Sequence, residues 1–315
     1  VNETLSTADG RQVLRLEREL AHPPEEVWRS ITEPARLSEW YPFPVTGIDL
    51  RAGGEIGFDD GEGTRSSGTV TELEPHRVFA FTEEGDLLRI ELRPGGQGTL
   101  LVFTHTFDDR SAAAATATGW TCCLDALEDV TAGRPARAAE SVVERHERFV
   151  REFGLDEPTV ESTSDGWRPR FHRPLIQRPV DAVWSVLTEG SGVEVGGAVP
   201  SACTTEQVPA GAVVDVQPPR RLEYEWTSDG ASVGRVRWEL ADGRGGARIV
   251  LTHSGPDELA EQRDVALRAW RHTSRRWPTA STPPPADPLR GGPPRGRPAD
   301  TMARYVPGAS LWRRT

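Results

Sequence analysis

The sequence predicts an α+β fold built twice in tandem. Three observations carry that expectation: a helix-then-strands segment recurs at an offset of 156 residues, Gly-rich turns divide each strand run, and both runs end on a Thr-His pair ahead of a long helical stretch. A length of 315 residues agrees, since ~150 residues is a usual domain.

Each copy opens on a short helix. PPEEVWRSITE (23–33) and RPVDAVWSVLTE (178–189) align through Val27/Val183, Trp28/Trp184, Thr32/Thr188 and Glu33/Glu189. Pro at the start and acidic residues in the first turn are helix-opening signals. The strands come next, as FAFTEEGDLLRIELRPGGQGTLLVFTHT (79–106) and YEWTSDGASVGRVRWELADGRGGARIVLTHS (224–254), ending on Thr104-His105 and Thr252-His253. A long helix closes each copy. In the first, Trp120, Leu124, Leu127 and Val130 keep helical spacing until Gly133 stops it; in the second, Val265, Leu267, Trp270 and Trp277 do so less regularly.

The layout is a curved antiparallel sheet over one long helix. Trp28 to Phe81 spans 53 residues but Trp184 to Trp226 only 42, so the second sheet is expected to be trimmed in its early strands. The predicted division is a first domain at 10–154, a linker at 155–166, a second, shortened domain at 167–277, and a disordered tail at 278–315. That tail carries nine Pro and four Gly in 38 positions, above the ~25–30% that marks low complexity.

Composition excludes several functions. With 37 basic and 48 acidic residues the net charge is −11, no field for holding nucleic acid or an anionic membrane. The sequence contains no lysine, which removes Schiff-base chemistry and the lysine-dependent phosphate motifs. Three cysteines, two of them adjacent, form neither a disulfide framework nor a zinc pattern. No apolar run is long enough to span a bilayer, and the first residues do not read as an export signal. A cytoplasmic protein without cofactor or metal is expected.

The catalytic motifs are weak. Gly230-Ala231-Ser232-Val233-Gly234 fits G-x-S-x-G, yet strand-like residues flank it on both sides where a nucleophile elbow needs a strand-to-helix turn. His146-Glu147 begins a zinc-protease pattern, but Val150 stands where the second histidine belongs. GEGTRSSG (61–68) reads as a hairpin loop and not as a phosphate cradle. Cys122 and Cys123 point ~100° apart on a helix, which places one of them in the core. His105 and His253 are expected to cap the turn into the long helix; a site at a cavity mouth is the functional alternative. Ten Trp against three Tyr point to an aromatic interior. Candidate cavity residues are Trp40, Phe58, Phe79, Phe81, Phe103, His105, Trp120, Leu124 and Leu127.

The stretch HPPEEVWRSITEPARLSEWYP, then RVFAFT, LLVFTHTF and GWTCCLDALEDVTAGR, resembles the activator of Hsp90 ATPase family within the START-like or Bet v 1-like superfamily. The resemblance spans about 10–133 and returns in degraded form across 170–277. It implies a helix-grip fold, in which a bent antiparallel sheet wraps a long C-terminal helix around an apolar cavity. The superfamily mostly binds lipids, hormones and polyketides, and some members cyclise or hydrolyse them. The resemblance therefore implies non-enzymatic binding of a small hydrophobic molecule in the first domain, with a protein-binding or Hsp90-related regulator as the alternative. A cyclase-like or hydrolase-like enzyme is the weaker third.

Overall fold

Why the chain folds twice is visible in its turns. Asp9-Gly10, Glu84-Gly85 and Asp229-Gly230 all take positive φ at both residues, the geometry that closes a two-residue antiparallel hairpin. The computed structural model describes residues 2–59, 64–96, 98–137, 142–164, 166–243, 245–274 and 277. The tail at 278–315 and the first part of the 61–68 loop lie outside them. The chain divides into two compact units at Phe149/Val150.

The first unit contains β1 (Asn2–Ala8), β2 (Arg11–Leu20), α1 (Pro24–Thr32), α2 (Pro34–Leu37), β3 (Val45–Ile48), β4 (Glu55–Asp59), β5 (Arg65–Glu74), β6 (Val78–Glu83), β7 (Asp86–Pro94), β8 (Thr99–Phe107) and α3 (Ala113–Thr131). The helix α4 (Val142–Glu152) crosses the boundary. All eight strands pair antiparallel in the order β1-β2-β8-β7-β6-β5-β4-β3. β2 alternates strictly: Gln12, Leu14, Leu16, Arg18 and Leu20 are buried on one face, the period-two signature of a half-covered sheet. α1 starts on Pro24 with Glu25 and Glu26 in its first turn and buries Val27, Trp28 and Ile31.

An apolar stripe was expected on the long helix, but α3 is buried nearly all round, with 16 of its 19 residues inside. Both Cys122 and Cys123 are among them. Polar ties surround the helix: Thr131 donates to Ser30 of α1 at 3.3 Å, and Arg145 of α4 pairs with Asp125 at 2.8 Å. Arg148 of α4 reaches Glu3 on β1 at 2.6 Å, where Arg18 also pairs.

The second unit holds β9 (Thr159–Thr163), β10 (Gly166–Pro174), α5 (Val180–Leu187), β11 (Ala210–Gln217), β12 (Arg221–Ser228), β13 (Ala231–Gly243), β14 (Gly246–Ser254) and α6 (Ala260–Ser274). Its six-stranded order, β11-β12-β13-β14-β10-β9, is that of the first sheet without β3 and β4. The trimming expected from the shorter spacing is therefore the loss of one hairpin. The stretch 155–166, expected as a linker, contains β9, which covers the edge of β10 from Thr163 to Thr159. No helix among the described residues is long and apolar enough to cross a membrane.

Candidate functional site

In the first unit the inner face of the sheet is graded from apolar to polar along the strands. Phe81 stands opposite Leu88, and Leu88 opposite His105. Two residues further on, the same face carries Glu83 opposite Asp86, at the mouth of the Glu84-Gly85 turn. Like charges placed directly across a ladder repel, so each needs its own partner. The Tyr41 hydroxyl donates to Glu83. Asp86 receives His105 Nε2 at 3.1 Å and lies 3.5 Å from the Arg11 guanidinium. Arg110 closes the end by donating to Gln12 at 3.2 Å.

His105 is not a cap; the turn into α3 is capped by Asp109, whose carboxylate accepts from Ser111. Instead His105 is buried and ties sheet to helix. The Trp120 indole N–H donates to its Nδ1 at 2.8 Å. Indole nitrogen can only donate, so Nδ1 is the bare nitrogen, the neutral ring carries its proton on Nε2, and that proton goes to Asp86. The tautomer is set by a tryptophan.

Below this polar end lie the rings. Tyr41 is the hub: its centroid is 5.4 Å from Phe58, 6.0 Å from Phe81 and 5.5 Å from Trp120. Phe103 packs on Trp120 at 4.4 Å and Phe79 on Phe81 at 5.2 Å. Burial, and then the negative charge of Glu83, push the Tyr41 phenol well above its usual range, so it is a neutral donor. All nine residues expected to line the cavity are buried. Of these, Phe58, Phe81 and Trp120 come together around Tyr41, Phe103 and His105 join through Trp120, and Phe79 joins through Phe81. Trp40 touches the hub as well, in a T-shaped pair with Tyr41 at 6.0 Å, and is pinned by its N–H bonded to the Ser30 carbonyl at 2.9 Å; Leu124 and Leu127 continue down α3. Tyr41, Glu83 and Asp86 were not foreseen.

The family model for activator of Hsp90 ATPase homolog 1-like proteins matches residues 21–132 and again 177–277, together more than half of the chain. The chain belongs to that family. No curated protein matches it in sequence. Among solved structures, this family member is similar to a conserved protein of unknown function from Enterococcus faecalis, with a TM-score of 0.41 at 17% identity over 48% of this chain and 89% of the other. CalU16 from Micromonospora echinospora gives 0.39 at 22% identity, over 49% and 95%. DynU16, a protein of the dynemicin biosynthetic locus, gives 0.37 at 17% identity, over 84% and 96%.

Both family segments carry the helix-grip arrangement, and the ladders let the two copies be superposed residue by residue. Tyr224 stands opposite Val236 and Val236 opposite His253, so Tyr224 holds the place of Phe81. This shifts by two the sequence alignment that had matched Phe81 with Trp226. Trp226, opposite Gly234, stands in the place of Glu83, and Gly234 in that of Asp86. Trp167 bridges Gly255 as Gln12 pairs with Phe107, so it replaces Gln12. The polar end of the first sheet has thus become two indoles and a glycine. Only the histidine and its helix partner persist: Trp270 N–H donates to His253 Nδ1 at 3.3 Å.

The remaining motifs find structural roles in this family fold. Gly230-Ala231-Ser232-Val233-Gly234 spans the β12–β13 hairpin, with Ser232 in a strand. His146 lies on α4, and no group of three potential metal ligands occurs among the described residues.

Proposed function

We propose that the first domain binds a small hydrophobic molecule bearing one polar group. Its walls are Phe58, Phe79, Phe81, Phe103, Trp120, Leu124 and Leu127 with Tyr41, and the polar group meets the Glu83, Asp86 and His105 end. The observation that carries this reading is the gradation of one sheet face from packed aromatic rings to a fixed set of acceptors, the composition by which ligand sites bind and orient. Within one chain the second copy builds the same fold without that polar end. The carboxylates are therefore not a requirement of the fold, which supports a role in recognition.

The test is a titration of the full chain with N-phenyl-1-naphthylamine, a neutral probe whose emission rises on burial. Saturable binding below about 100 µM is expected, weakened about tenfold by Trp120→Ala. Leu124→Met, which conserves volume, is the companion that keeps the core intact while altering the wall. Folded wild-type protein that gives no saturable signal defeats the reading and favours a protein-binding regulator with a filled grip.

A further inference from the structure

The outer faces of the two sheets, turned away from the long helices, carry different charges at matching positions. In the first sheet Thr104 of β8 lies between Arg15 of β2 and Arg89 of β7. Both arginines are neutralised there, Arg15 by Glu17 at 2.5 Å and Arg89 by Glu72 and Glu91 at 2.8 and 2.7 Å. In the second sheet Thr252 of β14 lies in the same way between Arg170 of β10 and Arg237 of β13. Arg170 thus holds the place of Arg15, but His172 stands where Glu17 was, opposite Val250 as Glu17 is opposite Val102. Two residues back along β10, the register continues to the Trp167–Gly255 bridge and sets Arg168 beside Ser254, where the first sheet has the uncharged Val13 beside Thr106. The second sheet has therefore lost a carboxylate and gained a guanidinium on one face. Among the described residues neither Arg168 nor Arg170 forms an ion pair, and Nε of Arg170 is buried without a hydrogen-bond partner. Glu161 of β9 faces Arg168 across the ladder without pairing with it. The hydroxyls of Thr252 and Ser254 also lack partners among the described residues. Beyond them, Arg235 and Arg237 are engaged by Glu225 at 3.0 Å and Glu223 at 2.6 Å.

We infer that the outer face of the second sheet, at Arg168 and Arg170 of β10 and the hydroxyls of Thr252 and Ser254 of β14, is a binding site for a phosphate monoester. Alternate residues of a strand are about 6.8 Å apart and neighbouring strands about 4.8 Å, so two arginine side chains and two hydroxyls can reach one tetrahedral group above the sheet. Two guanidiniums without counterions match a dianion in charge, and their N–H forks match pairs of its oxygens. A carboxylate brings one charge and two oxygens, and leaves half of these donors unanswered. The site lies on the opposite face of the sheet from the helix, so it is independent of what the interior of either domain holds.

The full chain is titrated at low salt with phenyl phosphate, at a pH about two units above its second pKa of about 6 so that it is a dianion, and binding is followed by 31P NMR. Saturable binding with a Kd of about 1 mM or below is expected, weakened about tenfold by Arg168→Gln and by Arg170→Gln. Glu161→Gln removes the nearest carboxylate and should tighten it. Arg15→Gln, at the matching but neutralised position of the first sheet, should leave it unchanged. All four side chains are exposed or half-buried, and an unchanged melting temperature checks that each variant is folded. The wild type is also titrated with phenyl sulfate, which has the same shape and a single charge, and with a glutamate-rich peptide; both are expected to bind about tenfold more weakly. The inference is overturned if the wild type gives no saturable binding, if the sulfate or the peptide binds as tightly as the phosphate, or if binding is indifferent to Arg168 and Arg170, as uptake into the aromatic interior of the first domain would be.

Discussion

His105 and His253 do the same thing with unequal success. Each accepts from a tryptophan of the long helix, but the bond is 2.8 Å in the first domain and 3.3 Å in the second, and among the described residues only His105 has its other nitrogen answered. Trp120→Phe strands a buried acceptor and is expected to cost about 1–3 kcal/mol in urea unfolding, with Trp270→Phe costing less. The pH response follows from His253. Its imidazole takes a proton near 6.5 when unfolded but only at about 3 when folded, so below 6.5 the unfolded chain binds a proton that the native chain refuses. Stability is then full above pH 6.5 and is lost as the pH falls toward 3. A stability series between pH 7 and 5, where carboxylates stay ionised, should show this slope in the wild type and its flattening in His253→Phe. The Thr-His pairs were legible in the sequence, but their partners were not, because a hydrogen bond to a residue 15 or 17 positions away depends on how a helix lands on a sheet. Tyr41 was missed for a similar reason: it and Trp40 are adjacent and both buried, and which rings and carboxylates each one meets is decided by how α2 and its loop land on the sheet.

Elements were read more securely than sites, since periodicity and turn chemistry are local. The short helices, the hairpins at Glu84-Gly85 and Asp229-Gly230, and the missing hairpin of the second sheet all follow from spacing. The all-round burial of α3 does not, because Ala, Thr and Cys make up much of the helix beside Trp120, Leu124 and Leu127, and hydropathy gives little contrast there. The end of that helix depends on one carboxylate. Asp129 is buried at the negative pole of α3, an unfavourable place for an anion. It is held ionised by Arg137, which donates from side chain and backbone at 2.8 and 3.1 Å, and by Arg134 at 2.9 Å; these bonds keep its pKa below the usual carboxylate range. Asp129→Asn should therefore destabilise by roughly 1.5–3 kcal/mol, the range for hydrogen bonds to charged groups, and Arg134→Ala by less, because its guanidinium is half exposed. Thermal melting of the two variants checks both the sign and the order.

For the whole molecule, the two copies share a plan but differ in how much they bury. The first sheet has eight strands and grips a helix with 16 buried residues; the second has six and covers a helix that buries only Ala266, Trp270 and Ser274. Since hydrophobic stabilisation grows with apolar area removed from water, the first copy has the larger reserve. The second compensates with rings: Trp238 packs against Trp277 at 4.9 Å and against Trp270 at 6.0 Å, which makes Trp277 part of its core. Expressed separately, residues 1–155 are expected to unfold cooperatively and at higher temperature than residues 156–277. The second half should lose stability again if it starts at Trp167, because the edge of β10 is then uncovered, or if Trp277 is changed to Ala, for which a large-to-small core change costs about 3–5 kcal/mol. Calorimetry of the two halves and the two variants decides the matter: equal melting temperatures would mean that the tryptophan core of the second copy fully offsets its missing hairpin.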